Sequence, residues 1–356
     1  MRACCIIVTF NNQKDIEPLI ESLQKDGWDS EDILYFVDNA STDGTAHIIA
    51  QKIKNIRTWH LIINKKNLGF SSANNEGMRI ARSTYSDIGI WVFLNPDIIV
   101  SPKWYEPLKQ YLIHSTKIIV TPILYHKDGS INTAGCELHW LGFGFMRDYK
   151  ALIKTPHTTE VFYPSGACCA LREADALQLS YPKNGNLWWD DLFLYHEDVE
   201  LGWRARIRGF SVVAIPSGHC IHTHMFHPKG ERNAHKFYFI ERNRLIINFL
   251  FWKKRTLVLL APFFLLTELI LFFFPGFIER VYTRYTILRD AWKIIISDTF
   301  MARRKWIQEL HWISDKSIFL KMSPTITHQE VMSPFLRFAN VVSQVLFRCL
   351  ASVIRW

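Results

Sequence analysis

Short apolar runs alternate with segments of helical spacing over the first hundred residues, and each run ends in a cluster of polar residues. Runs this short and rich in β-branched residues are typical of buried strands. Strands that alternate with helices predict βαβ units and a mainly parallel sheet flanked by helices. We therefore expect an α/β fold that binds ligands where the carboxyl ends of its strands meet the loops. The predicted strands are Ile6–Val8, Ile33–Val37, Leu61–Ile63, Ile90–Leu94 and, later in the chain, Val212–Ile215.

Helices are predicted between these strands from apolar residues spaced three or four apart. They are Asp15–Gln24, a helix through Ile48–Ile53, a helix near Ser72–Ala81 and a helix from about Glu197 to Arg208.

The formal net charge of +9 is concentrated in the last third of the chain. Residues 1–252 hold 27 Lys and Arg against 26 Asp and Glu, whereas residues 253–356 hold 15 against 7. Basic residues beside apolar helices suit an anionic membrane leaflet better than DNA, so we do not expect a nucleic-acid-binding protein. A solvated basic helical surface is the alternative.

The chain changes character after Arg244. Thr256–Ile278 is apolar apart from Glu268 and is about long enough to cross a bilayer, but its prolines and its carboxylate disfavour a straight span. We expect helices that lie in or dip into the cytoplasmic leaflet; a true span of 256–278 and a soluble helical packing domain are alternatives. The predicted domains are residues 1–244, which are catalytic, and 245–356, which are helical, apolar and basic.

The seven cysteines show no CxxC spacing, and we expect reduced thiols in the core. The first predicted strand begins almost at residue 1, which leaves no room for a signal peptide. The catalytic part is therefore expected in the cytoplasm.

Two polar loops follow the second and third strands. Asp38–Thr45 places two carboxylates and three hydroxyls where they could accept hydrogen bonds from a base or a ribose, although a simple N-cap and turn would use the same residues. Asn67–Gly77 has small residues that allow close approach of a ligand and a helix start that favours an anion.

Asn95-Pro96-Asp97 follows the fourth strand and offers one hard oxygen ligand to Mg²⁺ or Mn²⁺. An Asx-Pro turn capped by Asp97 is the alternative.

The densest polar segment is Asp190–Arg206, where five acids lie among aromatic residues. Glu197 and Asp198 are placed at a predicted helix start, which stabilises carboxylates. A purely structural helix-terminal network would account for only some of these acids.

Four histidines follow the last predicted strand. A zinc site is conceivable but lacks Cys partners, so one imidazole completing a carboxylate-bound Mn²⁺ is the simpler hypothesis. The cluster is His219, His222, His224 and His227.

These segments together resemble glycosyltransferase family 2, in particular its rhamnosyltransferase-like branch. The resemblance covers about residues 4–245 and includes Ile7–Asn11, Val37–Thr45, Asn67–Gly77, Phe93–Asp97, Gly166-Ala167, Glu197–Arg204 and the histidine cluster. It implies a GT-A fold and a nucleotide-diphosphate-sugar donor.

The resemblance also implies a role for each matching residue. Asp97 would hold the metal with His222, with His219 and His224 as rivals, and Asp198 would be the catalytic base, supported by Glu197. The implied donor-binding residues are Thr9, Asn11, Asp38, Asn67, Gly69, Phe70, Asn74 and Asn95, with Asp38 near the nucleobase. The implied acceptor-binding residues are Gly166, Ala167, Trp189, Asp191, Glu197 and Arg204.

This chain departs from the family pattern at three positions. Asn95 replaces the first Asp of the metal-binding triplet, so that Asp97 alone would carry the metal. Glu200 stands where relatives often have Asp, and His196 where many have an aromatic residue. The last two departures bear on the choice of acceptor.

The expected function is an inverting, metal-dependent transfer of a sugar to a glycan or lipid-linked glycan in cell-surface polysaccharide synthesis, at the cytoplasmic face of the membrane. The expected cofactor is Mg²⁺ or Mn²⁺. A non-catalytic sugar-nucleotide-binding protein and a processive synthase are the alternatives, but the Gln-x-x-Arg-Trp motif of synthases is absent from the sequence. The sequence leaves open the donor sugar, with rhamnose as the first choice, and the acceptor. It also leaves open whether the chain forms homo-oligomers.

Overall fold

A computed structural model describes residues 1–25, 28–153, 155–223, 231–273, 277–327 and 334–356. The chain divides into two compact units, which are described separately below. The first unit comprises Met1–Cys136, Met146–Phe193 and Phe210–Met225, and the second comprises Glu137–Phe145, Leu194–Gly209 and Phe226–Trp356. These units do not follow the predicted boundary after residue 244, because three segments of the predicted catalytic domain, 137–145, 194–209 and 226–244, belong to the second unit. The predicted domains remain a prediction.

A mixed sheet of ten strands dominates the described part of the first unit. Its order is β10-β12-β6-β11-β4-β1-β2-β3, with β5 paired to β12 and β7 paired to β6. The strands are β1 (Arg2–Thr9), β2 (Ile33–Asp38), β3 (Trp59–Ile63), β4 (Ile88–Leu94), β5 (Ile98–Ile99), β6 (Ile118–Tyr125), β7 (Ile131–Thr133), β10 (Thr159–Glu160), β11 (Cys168–Arg172) and β12 (Ser211–His222). A separate two-stranded sheet is formed by β8 (Cys136–Leu138) and β9 (Gly144–Met146).

The parallel half of the sheet agrees with the sequence prediction. β1 pairs in parallel with β2 and β4, and β2 pairs in parallel with β3. Because every residue of β2 is buried, this strand lacks the alternation of a half-exposed strand, as expected for a parallel sheet covered on both faces. The predicted α/β fold class is confirmed.

The other half of the sheet is mixed, and its pairing positions residues that are distant in sequence. β11 pairs antiparallel with both β4 and β6, while β12 runs parallel to β6. The end of β12 pairs antiparallel with β5, and this pairing sets His222 opposite Ile98. The residue after β4 that matters most, Asp97, is therefore adjacent to the end of β12.

Helices cover the sheet of the first unit. Helix α1 buries Ile16, Leu19, Ile20 and Leu23, the apolar face predicted from their spacing. The helices are α1 (Gln13–Gln24), α2 (Thr45–Ile53), α3 (Gly69–Thr84), α4 (Glu106–Ile113) and α5 (Glu173–Leu179). None of the seven cysteines, all of which are described, forms a disulfide, and all but Cys349 are buried, as expected for core thiols.

The second unit is mainly helical. Its helices are α6 (Glu197–Ile207), α7 (Glu231–Phe251), α8 (Lys254–Phe273), α9 (Phe277–Ile295), α10 (Asp298–Glu309), α11 (Asp315–Leu320) and α12 (Pro334–Val353).

Four charged side chains join three of these helices. Arg244 on α7 bonds to Glu241 at 2.9 Å and to Glu268 of α8 at 2.5 Å. Arg284 of α9 bonds to the same two carboxylates, at 2.7 Å to Glu241 and 2.5 Å to Glu268. Glu268, which interrupts the apolar run of the sequence, is thus neutralised by two guanidinium groups.

Two helices of the second unit leave many large apolar side chains exposed. By length and composition both Lys254–Phe272 and Pro334–Val353 could cross a membrane, with mean hydropathies of 1.9 and 1.2. The second of these was not predicted as a separate apolar segment. The most exposed apolar side chains are Val258, Leu265, Leu266 and Leu269 on α8 and Phe338, Val341 and Val345 on α12.

Candidate active site

The loops that follow β1 and β2 are joined by the carboxylate of Asp38. Its Oδ1 accepts hydrogen bonds from the hydroxyls of Thr9 at 2.8 Å and Ser41 at 2.6 Å, and its Oδ2 accepts from the Ser41 backbone N–H at 2.9 Å. Both Asp38 and Thr9 are fully buried. Their visible role is to order these loops, and a direct contact with the nucleobase stays a prediction.

Asn11 lies at the exposed tip of the first loop, in the left-handed region with φ 55°. Its Oδ1 accepts a hydrogen bond from the Thr42 N–H at 2.9 Å, and its own N–H donates to the Ser41 hydroxyl at 2.9 Å. Left-handed backbone is more accessible to Asn than to most other residues. Asn11 therefore positions backbone groups of both loops where a ligand could reach them.

Asn39, for which no role was predicted, connects the second loop to the third. Its amide donates to the Gly69 carbonyl at 3.0 Å, and its Oδ1 accepts from the Asn64 amide at 3.0 Å. A buried amide with satisfied donors and acceptors fixes both loops rigidly.

Gly69 begins α3 and allows a very close backbone contact. Its φ is +79°, and a Cβ at this position would lie 2.4 Å from the carbonyl oxygen of Phe193. The next residue, Phe70, donates its N–H to that same oxygen at 2.7 Å. Just before the helix, Asn67 forms a tight turn in which its Oδ1 accepts from the Gly69 N–H at 2.8 Å. Gly69, Phe70 and Asn67 therefore hold the segment around residue 193.

On α3, Asn75 and not Asn74 connects the helix to the segment around Trp188. The Asn74 amide is buried and donates within the helix to the Phe70 carbonyl at 2.9 Å, and its contact with the donor stays a prediction. The Asn75 amide donates to the Trp188 carbonyl and to Asp190 Oδ1, both at 2.8 Å, and its Oδ1 accepts from the Trp188 N–H at 3.0 Å. Asp190 is thus engaged in holding the loop to α3.

The two predicted metal ligands come together in the structure. His222 Nε2 lies 3.3 Å from Asp97 Oδ1, and both side chains are partly buried. Thr223 fixes this geometry, since its N–H and its hydroxyl both donate to the Asp97 carbonyl at 2.9 Å. Asn95, also partly buried, donates its N–H to the Ala167 carbonyl at 2.8 Å.

Asn132 sets the tautomer of His222. The His222 Nδ1–H donates to Asn132 Oδ1 at 3.0 Å, because an amide oxygen can only accept. In a neutral imidazole this leaves Nε2 as the lone-pair nitrogen, directed at Asp97. Two ligand atoms that share a divalent cation at about 2.1 Å each lie about 3 Å apart when the angle is near 90°. The pair therefore fits one cation, but no group of three such ligands occurs among the described residues.

The rivals of His222 in the sequence prediction are His219 and His224. His224 and His227 lie outside the described residues, and only the backbone of His219, within β12, is described.

Gly166 and Ala167 lie next to the Asn95–Asp97 turn, because β11 pairs its first residue, Cys168, with Leu94. Trp189 and Asp191 were also predicted to contact the acceptor. Asp191 is exposed, whereas Trp189 is buried. The indole N–H of Trp189 donates to Asp191 at 3.0 Å, so Trp189 supports Asp191, and its contact with an acceptor stays a prediction.

The second unit carries the predicted acid pair at the first turn of α6. Glu197 is buried and Asp198 is partly exposed. Burial raises the pKa of Glu197 well above its ordinary value, and the negative charge of Asp198 raises that pKa further. The protonated form of Glu197 is therefore more favoured than that of an ordinary glutamic acid.

His196 precedes this pair and is a buried, neutral imidazole. Burial lowers the pKa of His196 to about 4. Its Nε2 lies 3.4 Å from the Gly142 carbonyl, consistent with a donated hydrogen bond.

Arg204 lies in a buried ion pair. Its side chain is fully buried and forms a forked contact with Glu200, with Nε–Oε1 and Nη2–Oε2 distances of 3.0 and 2.7 Å. Its predicted role in acceptor binding stays a prediction. Arg204 and Glu200 stabilise the helix, which was the structural alternative for part of this acidic segment.

Comparisons with known proteins show a family and a relative to which this chain is similar. The family model described as "Glycosyl transferase family 2" matches residues 4–177. The N-acetylglucosaminyl-diphospho-decaprenol L-rhamnosyltransferase of Mycobacterium tuberculosis is 26% identical over 251 residues, which cover 64% of this chain and 78% of that protein.

Two solved structures share the fold at low sequence identity. S. aureus TarS 1-349, in complex with UDP-GlcNAc, matches 99% of this chain and 90% of its own, with a TM-score of 0.51 and 16% identity. GalNAc-T7 with UDP, GalNAc and Mn²⁺ matches 73% of this chain with a TM-score of 0.56 and 15% identity. This chain spans only half of the GalNAc-T7 chain. The likenesses confirm the predicted GT-A fold.

The raised pKa of Glu197 predicts a specific dependence of stability on pH. Because the folded state disfavours the ionised carboxylate, stability is greatest below the ordinary pKa of Glu and falls as the pH rises towards the folded-state pKa. Glu197→Gln should match the wild type near pH 4 and become progressively more stable above it, by up to about 1.4 kcal/mol per pH unit. Urea unfolding between pH 4 and 8 measures the difference in the free energy of unfolding.

The exposed Glu309 provides the matched control in the same unit. Glu309→Gln should leave the pH dependence of the wild type unchanged. Parallel curves for the wild type and Glu197→Gln would contradict the assignment of a protonated Glu197.

Proposed function

The chain belongs to glycosyl transferase family 2, and from that premise we propose that it transfers a sugar from a nucleotide-diphosphate donor to a hydroxyl of a glycan or lipid-linked glycan, with inversion at the anomeric carbon. The observation that carries the proposal is that Asp97, in the turn after β4, lies 3.3 Å from His222 at the end of β12. The family relationship gives the reaction class, and these residues give it a chemical basis.

We propose that Asp97 and His222 hold a divalent cation, Mg²⁺ or Mn²⁺. Asn132 keeps His222 in the tautomer that carries its proton on Nδ1 and its lone pair on Nε2. Such a cation would supply the positive charge that a departing nucleoside diphosphate requires. Asn95, held against Ala167, is then placed to contact the ribose or phosphate of the donor. The presence of Mn²⁺ in GalNAc-T7 supports a cation in this fold.

Asp198 is proposed as the base. An acceptor hydroxyl is a weak nucleophile, so its proton passes to Asp198 while its oxygen bonds to the anomeric carbon and the bond from that carbon to the diphosphate oxygen breaks. Attack opposite the leaving group inverts the configuration. Glu197 supports this role, because burial and the neighbouring Asp198 raise the pKa of Glu197 and so disfavour a second negative charge beside the base.

The donor and acceptor are proposed from the relatives. The relative from M. tuberculosis is named for rhamnosyl transfer to N-acetylglucosaminyl-diphospho-decaprenol, so a deoxyhexose donor such as dTDP-rhamnose and a lipid-linked acceptor head the choices. TarS was solved with UDP-GlcNAc, which keeps UDP-sugars in the panel together with GDP-sugars. Product release from this panel with Mg²⁺ or Mn²⁺ tests the function as a whole.

We also propose that the second unit binds the cytoplasmic face of a membrane. Leu265 and Leu269 on α8 are 65% and 56% exposed, and Phe338 on α12 is 68% exposed. The excess of Lys and Arg in residues 253–356 complements anionic lipid headgroups. Apolar faces flanked by basic residues are typical of helices that lie in the interface.

Asp198→Asn should abolish transfer while leaving donor binding close to that of the wild type, because an amide cannot accept the proton of the acceptor. Transfer is measured by product release and donor binding by calorimetry. Glu197→Gln is the matched control and should retain much more activity, since it mimics the protonated acid. Near-normal transfer by Asp198→Asn would remove Asp198 from the mechanism.

His222→Ala and Asp97→Asn should each raise the Mn²⁺ concentration for half-maximal transfer by about 10-fold or more, because each removes a proposed ligand. Titration of Mn²⁺ at saturating donor measures this shift. His114→Ala, at an exposed histidine of the first unit, should titrate like the wild type. Full transfer in the presence of a chelator would rule out the cation and leave the transferase assignment intact.

The double substitution Leu265→Glu and Leu269→Glu should weaken binding to vesicles of phosphatidylglycerol and phosphatidylcholine by about 10-fold or more, since it removes apolar burial. Flotation measures the bound fraction, which should also fall with rising salt. Leu177→Glu, at an exposed leucine of α5, should bind like the wild type. Equal binding by all three proteins would exclude α8 as the membrane contact.

A further inference from the structure

The backbone immediately before the acid pair is held in an unusual conformation. Tyr195 and His196 have φ values of 64° and 65°, in the left-handed region that non-glycine residues rarely occupy. This conformation is unfavourable for residues with a Cβ, so surrounding contacts must maintain it. Because His196 is the N-cap of α6, this turn determines where Glu197 and Asp198 begin.

Asn243 of α7 contacts this turn directly. Its side-chain amide donates one hydrogen bond to the Leu194 carbonyl at 3.0 Å and another to the Tyr195 carbonyl at 2.7 Å. Asn243 is fully buried. Both hydrogens of one amide are therefore used on two successive carbonyls of the turn.

Arg242 fixes the orientation of that amide. Its Nε and Nη2 donate to Asn243 Oδ1 at 2.9 and 2.8 Å. An amide rotated by 180° would turn its NH₂ group towards the guanidinium and its oxygen towards two carbonyl oxygens, and both arrangements are repulsive. Only one orientation of Asn243 is stable.

The helix that carries Asn243 is itself anchored on either side of this residue. Arg244 is bound to Glu241 and Glu268, and its Nη1 donates to the Leu141 carbonyl at 3.2 Å. The His196 imidazole lies against the neighbouring Gly142 carbonyl. A side chain on so rigid a support can define the position of a turn closely.

We propose that Asn243 is a positioning residue for the acid pair, which fixes the left-handed turn and thereby the placement of Asp198. This inference rests on the proposed function of Asp198 as the base. Asn243 acts through the turn and touches neither substrate nor reacting atoms.

Asn243→Asp tests this role with almost no change of shape. The carboxylate lacks both N–H donors and places negative oxygens against the two carbonyls, so the turn relaxes. We expect kcat for transfer to fall by about 100-fold, the loss typical of a misplacement of about 1 Å. The dissociation constant of the donor and its binding stoichiometry should stay within about twofold of the wild type, whereas a general loss of folded protein would lower the stoichiometry with kcat.

Asn248→Asp is the matched control on the same helix. Asn248 is also buried, and its amide donates to the Arg244 carbonyl at 2.8 Å and not to the turn. This variant should lose stability to a similar extent, measured by thermal unfolding, yet keep kcat per donor-binding site near that of the wild type. An equal loss of kcat in both variants would overturn the proposal.

Arg242→Lys provides a milder second variant should Asn243→Asp fold poorly. Lysine keeps the charge but loses the forked contact with Asn243 Oδ1, so kcat should fall to an intermediate value in a folded protein. Wild-type kcat in Arg242→Lys and in any folded Asn243→Asp overturns the inference. If the wild type transfers no sugar from the donor panel, the proposed function itself fails; if Asp198→Asn is inactive while Asn243→Asp is normal, only this inference fails.

Discussion

The antiparallel pairing of β5 with the end of β12 is the constraint on which the candidate metal pair depends. β12 enters the sheet beside β6, and its last residues reach β5 directly after the Asp97 turn. Thr223, 126 positions away in sequence, can therefore donate two hydrogen bonds to the Asp97 carbonyl. Neither Asp97 nor His222 is positioned by its own neighbours in sequence. A weakly paired strand of two residues thus determines the geometry of the ligands.

Several polar side chains at the ends of the strands are occupied by the protein itself. Asp38 accepts three hydrogen bonds from the protein, and Asn39 joins the second and third loops. A buried polar group that lacks a partner costs about 1–3 kcal/mol, so such groups are satisfied before any ligand arrives. The consequence is a rigid edge of the sheet that presents backbone groups, as at Asn11, in a fixed position. Preorganisation of this kind reduces the cost of binding a donor.

The sequence predicted the elements whose signal is local. The periodicity of apolar residues identified β1 to β4 and their helices, and turn residues located Asp97 and the start of α6. The roles of Asn39, Asn75, Asn132 and Asn243 could not be predicted, because an amide has no sequence signal for the distant carbonyl or ring that it bonds. The buried ion pair of Arg204 could not be predicted for a related reason: an Arg four residues after a Glu is compatible with either a ligand contact or an intrahelical ion pair. Only burial distinguishes the two.

The second unit shows how a carboxylate can occur in an apolar segment without opposing membrane contact. Glu268 lies in the most apolar helix of the chain, where an isolated charge would be costly. Its oxygens bond to Arg244 and Arg284, and the same two guanidinium groups bond to Glu241, so that two negative and two positive charges balance within the cluster. Leu265 and Leu269 of the same helix are exposed. The charge of Glu268 is neutralised by Arg244 of α7 and Arg284 of α9, so α8 keeps an apolar outer surface. Glu268 therefore does not oppose an interfacial position for this helix.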